Sequence, residues 1–267
     1  MEISSALAML EQESGELDAV LADLDPEKWS LPTPSPGWSI ADQVAHLHWT
    51  DLVSVQTATK DPAFEALVKE VAAGNSSDFI DTEARKIAAQ PAEVLLAEWR
   101  DGRTRLSDAL AAADPAEKIE WFGPPMRPMT MITARIMETW AHGLDVFDTL
   151  GLAKPAGPAL AAVARIGDRT RGFSFVSNGL DAPREEVRVE LSLPDGQIEF
   201  GPAEAANRVT GSAWGFAAVV TQRRHLDDVD LTAVGPVSEQ WMSIAQAFAG
   251  PPTKGPSAGE RATGTEN

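Results

Sequence analysis

The sequence predicts an α+β protein in which a four-helix bundle, residues 1–152, precedes a small α+β domain, residues 153–250. Two periodicities carry this reading. Up to Gly151 the apolar residues recur at spacings of three, four and seven, the signature of amphipathic helices. Beyond it, Val187, Val189, Leu191 and Leu193 alternate with Arg188, Glu190 and Ser192, the period of a half-buried strand. Size and mix agree: 267 residues with 43% apolar and 23% charged side chains suffice for one large domain or two ordinary ones with packed cores.

The elements follow in order. Ile3 to Leu24 carries Ile3, Leu7, Leu10, Leu17, Val20, Leu21 and Leu24 on one face and ends at Asp25-Pro26. Leu31-Pro-Thr-Pro-Ser-Pro-Gly37 is a loop, because three prolines remove donors and fix φ. Ser39, with Asp42 three positions on, opens a second helix that runs to about Thr59: the hydroxyl satisfies an orphan N–H and the carboxylate suits the positive helix end. The apolar pieces around Phe64–Val71 add a minor helix. A third long helix covers Pro91 to Ala113, Trp121-Phe-Gly-Pro-Pro-Met126 is a loop, and a fourth long helix runs from Thr130 to Leu150, stopped by Gly151. Four such helices, each with one apolar face, make a bundle.

In the second half, Ala159 to Gly172 is a helix and Val187–Leu193 a strand. Pro194-Asp195-Gly196 is turn chemistry, and Gln197–Phe200 returns as the hairpin partner. Asn207–Gly211 is a third strand, Ser212–Arg224 a helix, Asp230–Val234 a strand and Ser238–Phe248 the last helix. Residues 251–267 hold no large apolar side chain and read as a disordered tail.

Composition excludes several classes of function. Lys and Arg total 22 against 40 Asp and Glu, a formal net charge of −18. Such a surface repels phosphate backbones and anionic lipid, so no nucleic acid and no membrane is expected as a partner. There is no cysteine, which removes disulfides, thiolate metal ligands and a cysteine nucleophile, and suits a reducing cytoplasm. The acidic N-terminus does not read as a signal peptide, and no window of about 18 apolar residues is long enough to span a membrane. Phosphate-binding glycine loops and a Gly-x-Ser-x-Gly elbow are both lacking.

Four histidines remain to be weighed: His46, His48, His142 and His225. Glu138 and His142, four apart on the fourth long helix, share a face about one turn apart and could bind one divalent cation from one side; zinc or another first-row metal suits that mix. The bland alternative is a surface pair worth a few tenths of a kcal/mol. Asp145 could fix the His142 tautomer, or be a solvated charge. Arg135 reads better as a salt-bridge partner of Glu138 than as a substrate ligand. A third ligand could come from His46 or His48, but positions two apart differ by about 200° on a helix, so both cannot face one site. The stripe of Ile40, Val44, Leu52 and Val55 centres nearer His48, so periodicity alone does not choose His46. His225 is a loop histidine with little claim to catalysis.

The segment Pro36-Gly-Trp-Ser-Ile-Ala-Asp-Gln-Val-Ala-His46-Leu, followed by Ala134-Arg-Ile-Met-Glu138-Thr-Trp-Ala-His142-Gly-Leu-Asp145, resembles the DinB-like superfamily. Within it the match is closest to the mycothiol-dependent maleylpyruvate isomerase family of actinobacteria, and the Trp121–Met126 loop is similar as well. The resemblance covers the bundle well and the second half loosely. It implies a DinB-like bundle whose metal, usually zinc, is held by His46, Glu138 and His142. The Gly-Trp-Ser lead-in sets the register that favours His46 over His48. It also implies a C-terminal domain with an arginine for an anionic substrate. Arg224 is the candidate in the similar Gly211–His225 stretch, although Arg223 competes for the match and a surface charge near a helix end explains Arg224 equally well.

The activity so implied is metal-assisted activation of a low-molecular-weight thiol, mycothiol in that family, for isomerisation or transfer on a small-molecule electrophile. Since this chain lacks cysteine, the sulfur must arrive on that small molecule. The superfamily also allows a homodimer. Two rival readings stand beside it: a carrier of an apolar or acidic metabolite, since the second domain is loosely similar to sterol-carrier-like modules, and a metal-binding stress or regulatory protein without turnover.

Overall fold

In the computed structural model, which describes residues 2–73 and 79–261, the first helix α1 spans Ile3–Ala22 and is followed by a 3-10 turn at Pro26–Ser30. Helix α2 spans Ile40–Ala58 and starts with the expected capping box: the Asp42 N–H donates to Ser39 Oγ at 3.2 Å and the Ser39 N–H donates to Asp42 Oδ2 at 2.8 Å. Helices α3, Pro62–Ala73, and α4, Phe79–Ala88, come next. Helix α4 was not anticipated, although Phe79, Ile80, Ala84 and Ile87 recur at near-helical spacing. Helix α5 spans Ala92–Ala112, and α6 spans Pro128–Leu150, where Gly151 takes the left-handed φ of +66° that ends it.

The chain forms two compact units, residues 1–149 and 150–267. In the first, the long helices α1, α2, α5 and α6 build the bundle around Leu17, Leu21, Ile40, Val44, Leu47, Leu95, Trp99, Leu106, Leu110, Ile132, Ile136 and Trp140, all buried. Each buried Leu or Ile contributes about 1.5–3 kcal/mol over leaving it in water. The Trp121–Met126 loop is pinned rather than loose. Met126 and Ile119 exchange backbone hydrogen bonds at 2.9 and 2.7 Å, and Phe122 stacks on Trp49 while Trp121 stacks on Phe64.

The second unit opens with α7, Ala159–Arg169, and α8, Arg171–Ser177. A single helix was expected here. Thr170 divides it, its hydroxyl donating back to the Ile166 and Gly167 carbonyls at 2.9 and 3.1 Å. Strands β1, Val187–Leu193, β2, Gly196–Phe200, β3, Asn207–Ser212, and β4, Thr232–Val234, form one sheet in the order β2-β1-β3-β4. Strand β1 pairs antiparallel with β2 and parallel with β3. Its Val187, Val189 and Leu191 face inward, while Arg188 and Glu190 join Glu199 and Arg208 in a ladder of ion pairs. Gly201 sits where a Cβ would come 2.0 Å from the Val187 carbonyl oxygen, at a φ of +74°, so only glycine lets the chain leave β2 there.

Helices α9, Ala213–Val220, and α10, Pro236–Ile244, complete the unit. Helix α9 ends at Val220, four residues before the expected Arg224, and the chain turns away at Gln222, whose φ of +58° is left-handed. The segment 251–261, read from composition as disordered, has a defined course instead. Thr253 donates its N–H to Gln246 Oε1 at 3.2 Å and its hydroxyl to Gln222 Oε1 at 2.6 Å, and the Gly259 N–H donates to Asp228. Composition missed this because polar side chains of the folded unit, not apolar burial, hold the segment. Residues 262–267 of that expected tail lie outside the described residues.

Candidate metal centre

Three donor atoms converge between α2 and α6. His46 Nε2 lies 3.3 Å from Glu138 Oε2, and His142 Nε2 lies 3.2 Å from the same oxygen. The two imidazole rings are 4.5 Å apart. One donor atom from each residue falls within 4.8 Å of the others, the one such His/Glu group among the described residues. The i,i+4 spacing on α6 supplies two donors from one helix, and α2 supplies the third.

The centre is shielded but not sealed: the His46, His142 and Glu138 side chains are 12%, 13% and 23% exposed. Burial pushes the Glu138 pKa up, but hydrogen bonds and charge from His142 and His46 outweigh it and hold the carboxyl well below its usual range. Glu138 is therefore an anion at neutral pH. Such a set of two imidazoles and a carboxylate, each still partly exposed, could hold one divalent ion.

The surroundings orient the donors. Trp38, from the Gly-Trp-Ser lead-in, lies nearly parallel to His142 at 5.7 Å and tilts against His46 at 5.2 Å. Gln43 Oε1 lies 2.5 Å from His142 Nδ1. Thr50 donates its hydroxyl to the His46 carbonyl at 2.8 Å. Neither Trp38, Gln43 nor Thr50 was singled out from the sequence. A partial signal existed: Gln43, His46 and Thr50 are polar residues at spacings of three and four, one face of α2.

The other sequence candidates fall elsewhere. His48 is buried against α5, its Nε2 3.9 Å from Glu98 Oε2. Arg135 does not pair with Glu138 as expected. It donates from Nε to Asp51 Oδ1 at 2.9 Å, an ion pair buried on both sides. Burial pushes the Asp51 pKa up even against that guanidinium. Asp145 is fully buried and accepts from Ser35 Oγ at 2.8 Å, while the partner at His142 Nδ1 is Gln43. His225 caps a 3-10 turn, its Nδ1 accepting from the Asp227 N–H at 3.1 Å. Arg224 belongs to the second unit and is no surface charge: it is 3% exposed, its Nη1 donates to the Arg223 carbonyl at 2.9 Å, and its guanidinium lies 5.4 Å from the Trp214 ring.

No helix among the described residues is long and apolar enough to cross a membrane. Two uncharacterized proteins of Mycobacterium tuberculosis, MT0041 of strain CDC 1551 / Oshkosh and Rv0036c of strain ATCC 25618 / H37Rv, are each 48% identical over 250 residues, covering 93% of this chain and 97% of their own length. Among solved structures, the mycothiol-dependent maleylpyruvate isomerase and a mutant of it match with a TM-score of 0.59 over 87% of this chain and 93% of theirs. At 15% identity that likeness speaks to the fold alone. The family model described as the mycothiol maleylpyruvate isomerase N-terminal domain matches residues 10–147. With more than half of its length so matched, and a bundle of the corresponding fold, the chain belongs to the mycothiol maleylpyruvate isomerase N-terminal domain family.

Proposed function

We propose that His46, Glu138 and His142 hold one divalent metal ion, zinc by the chemistry of the donor set, and that the protein is an enzyme activating a low-molecular-weight thiol of the mycothiol type. The reaction class is isomerisation or S-transfer on a small electrophile. The observation that carries the metal reading is the convergence of three donors on one point. Tetrahedral bonds of about 2.1 Å set neighbouring donors about 3.4 Å apart. The Nε2–Oε2 separations of 3.3 and 3.2 Å match that spacing for the two pairs that share Glu138, and all three donors lie within 4.8 Å of one another.

The chemistry supplied by such an ion is a positive charge that favours the thiolate of a thiol brought to it near neutral pH. The chain has no cysteine, so the thiol belongs to the cosubstrate, and the family name points to mycothiol. The protein's own part is positional. Glu138 supplies one negative charge, His46 and His142 supply one ring nitrogen each, and Trp38 covers one side of the two rings. Arg224, in the second unit, is proposed as a partner for an anionic group of a substrate, since a guanidinium can bind a carboxylate through two parallel hydrogen bonds.

Metal analysis and a thiol titration test this together. Purified protein should carry about one zinc per chain, and mycothiol should change the visible spectrum of the cobalt-substituted form. Protein that takes up no metal defeats the reading outright. A cobalt spectrum indifferent to mycothiol defeats the thiol half and leaves a metal-binding protein.

A further inference from the structure

We infer that Gln43 is a positioning residue that fixes His142 as the Nδ1–H tautomer, with Nε2 presented to the centre, through a hydrogen-bond relay anchored on the Trp38 carbonyl. The inference rests on the metal reading above. It follows from counting hydrogens along the relay. The Thr33 hydroxyl has one proton, and it donates it to the Trp38 carbonyl at 2.9 Å, because a carbonyl can only accept. The same carbonyl takes the Thr33 N–H at 2.7 Å, which holds Thr33 in place. With its proton committed, Thr33 Oγ1 can only accept from Gln43, 2.9 Å away, so the Gln43 amide nitrogen faces Thr33.

The amide orientation is thereby set, and the Gln43 oxygen must face His142. At 2.5 Å from Nδ1 that oxygen requires a proton on Nδ1. Nε2 is then the nitrogen left for an ion, on the side of Glu138 Oε2, 3.2 Å away. Gln43 is completely buried, so water cannot substitute for it. A leucine at this position would leave Nδ1–H without its acceptor in a buried place and free the ring to turn or change tautomer. The relay also couples the backbone of the Trp38 loop to the ligand it stacks on, so the same few residues set both the wall and the donor.

The test uses the full-length chain with zinc as the probe. Gln43→Leu should lower zinc affinity on the order of 10–100-fold, the usual effect of losing a partner behind a ligating histidine. Gln43→Glu, which keeps an acceptor at Nδ1, should restore most of it. In the zinc-loaded wild type, nitrogen-15 NMR of His142 should show a protonated Nδ1 and a zinc-shifted Nε2, and Gln43→Leu should lose the hydrogen-bonded Nδ1–H signal. Thr33→Val, which frees the amide to flip, should shift affinity in the same direction by less; it carries the test if Gln43→Leu fails to fold. Equal zinc affinity in wild type, Gln43→Leu and Thr33→Val, or zinc bound at His142 Nδ1, overturns the role of Gln43 alone. A wild type that takes up no zinc overturns the metal reading and this inference with it.

Discussion

His46 and His48 stand two residues apart on one helix and live in opposite surroundings. His46 faces α6, where a second imidazole and a carboxylate reach the same point. His48 faces α5, where Gly102 makes room for its ring and a Cβ there would come 3.0 Å from His48 Nδ1. Both have an Nδ1 that is buried without a hydrogen-bond partner among the described residues. Burial and an unpartnered nitrogen therefore do not separate a candidate ligand from a packing residue. What separates them is what meets the other nitrogen, Nε2: at His46 it is Glu138, on the chain some ninety residues away, with His142 beside it.

The sharpest way to break this contrast is to exchange the fates of the two residues. His46→Ala should reduce zinc content from about one per chain to near none, whereas His48→Ala should keep the zinc and lose about 1–3 kcal/mol of stability, read by chemical denaturation. If His48→Ala is the variant that loses zinc, the assignment of faces is wrong. Next in size is the buried pair beside both residues. Arg135→Met leaves Asp51 buried without its guanidinium, and should cost about 3–5 kcal/mol, most of it recovered when Asp51→Leu is added; an unchanged denaturation midpoint would show that the pair is not closed in solution.

A smaller effect separates the two faces by pH. Burial holds the His48 pKa below its ordinary 6.5. As pH falls through that value the unfolded chain takes up the proton first, so stability declines from about pH 6.5 downward and levels off below the folded pKa, by at most about 1.4 kcal/mol per pH unit. His48→Gln should remove this part of the slope, and an unaltered slope would assign it to other groups. Smallest is Gly102→Ala. In a His48→Ala background it should gain up to about 1 kcal/mol from helix propensity, and in the wild type less, because the His48 ring must yield.

The elements that local chemistry dictates were the legible ones. The Ser39–Asp42 box, the stop at Gly151 and the alternation along β1 each depend on residues within a few positions. The i,i+4 geometry of Glu138 and His142 was legible for the same reason. The helical wheel correctly marked His48 as the more buried of the two histidines, but a wheel reports burial and not which neighbour is met, so His46 needed the family's register. Gln43, Thr33 and Trp38 form a network only after the proline-rich loop folds back on α2, a tertiary event with no local signature. Arg135 paired across to Asp51 for a like reason: its partner lies 84 positions away, beyond any spacing rule.

The gathering of His46, Glu138 and His142 has one consequence for how the molecule comes undone. Two donors ride on α6 and the third on α2, and no short peptide of the chain contains all three. Denatured protein therefore offers a cation nothing better than scattered side chains. An ion held there would act as a clasp on the bundle, raising its melting temperature with the logarithm of free ion, and a chelator would then loosen helices that it never touches.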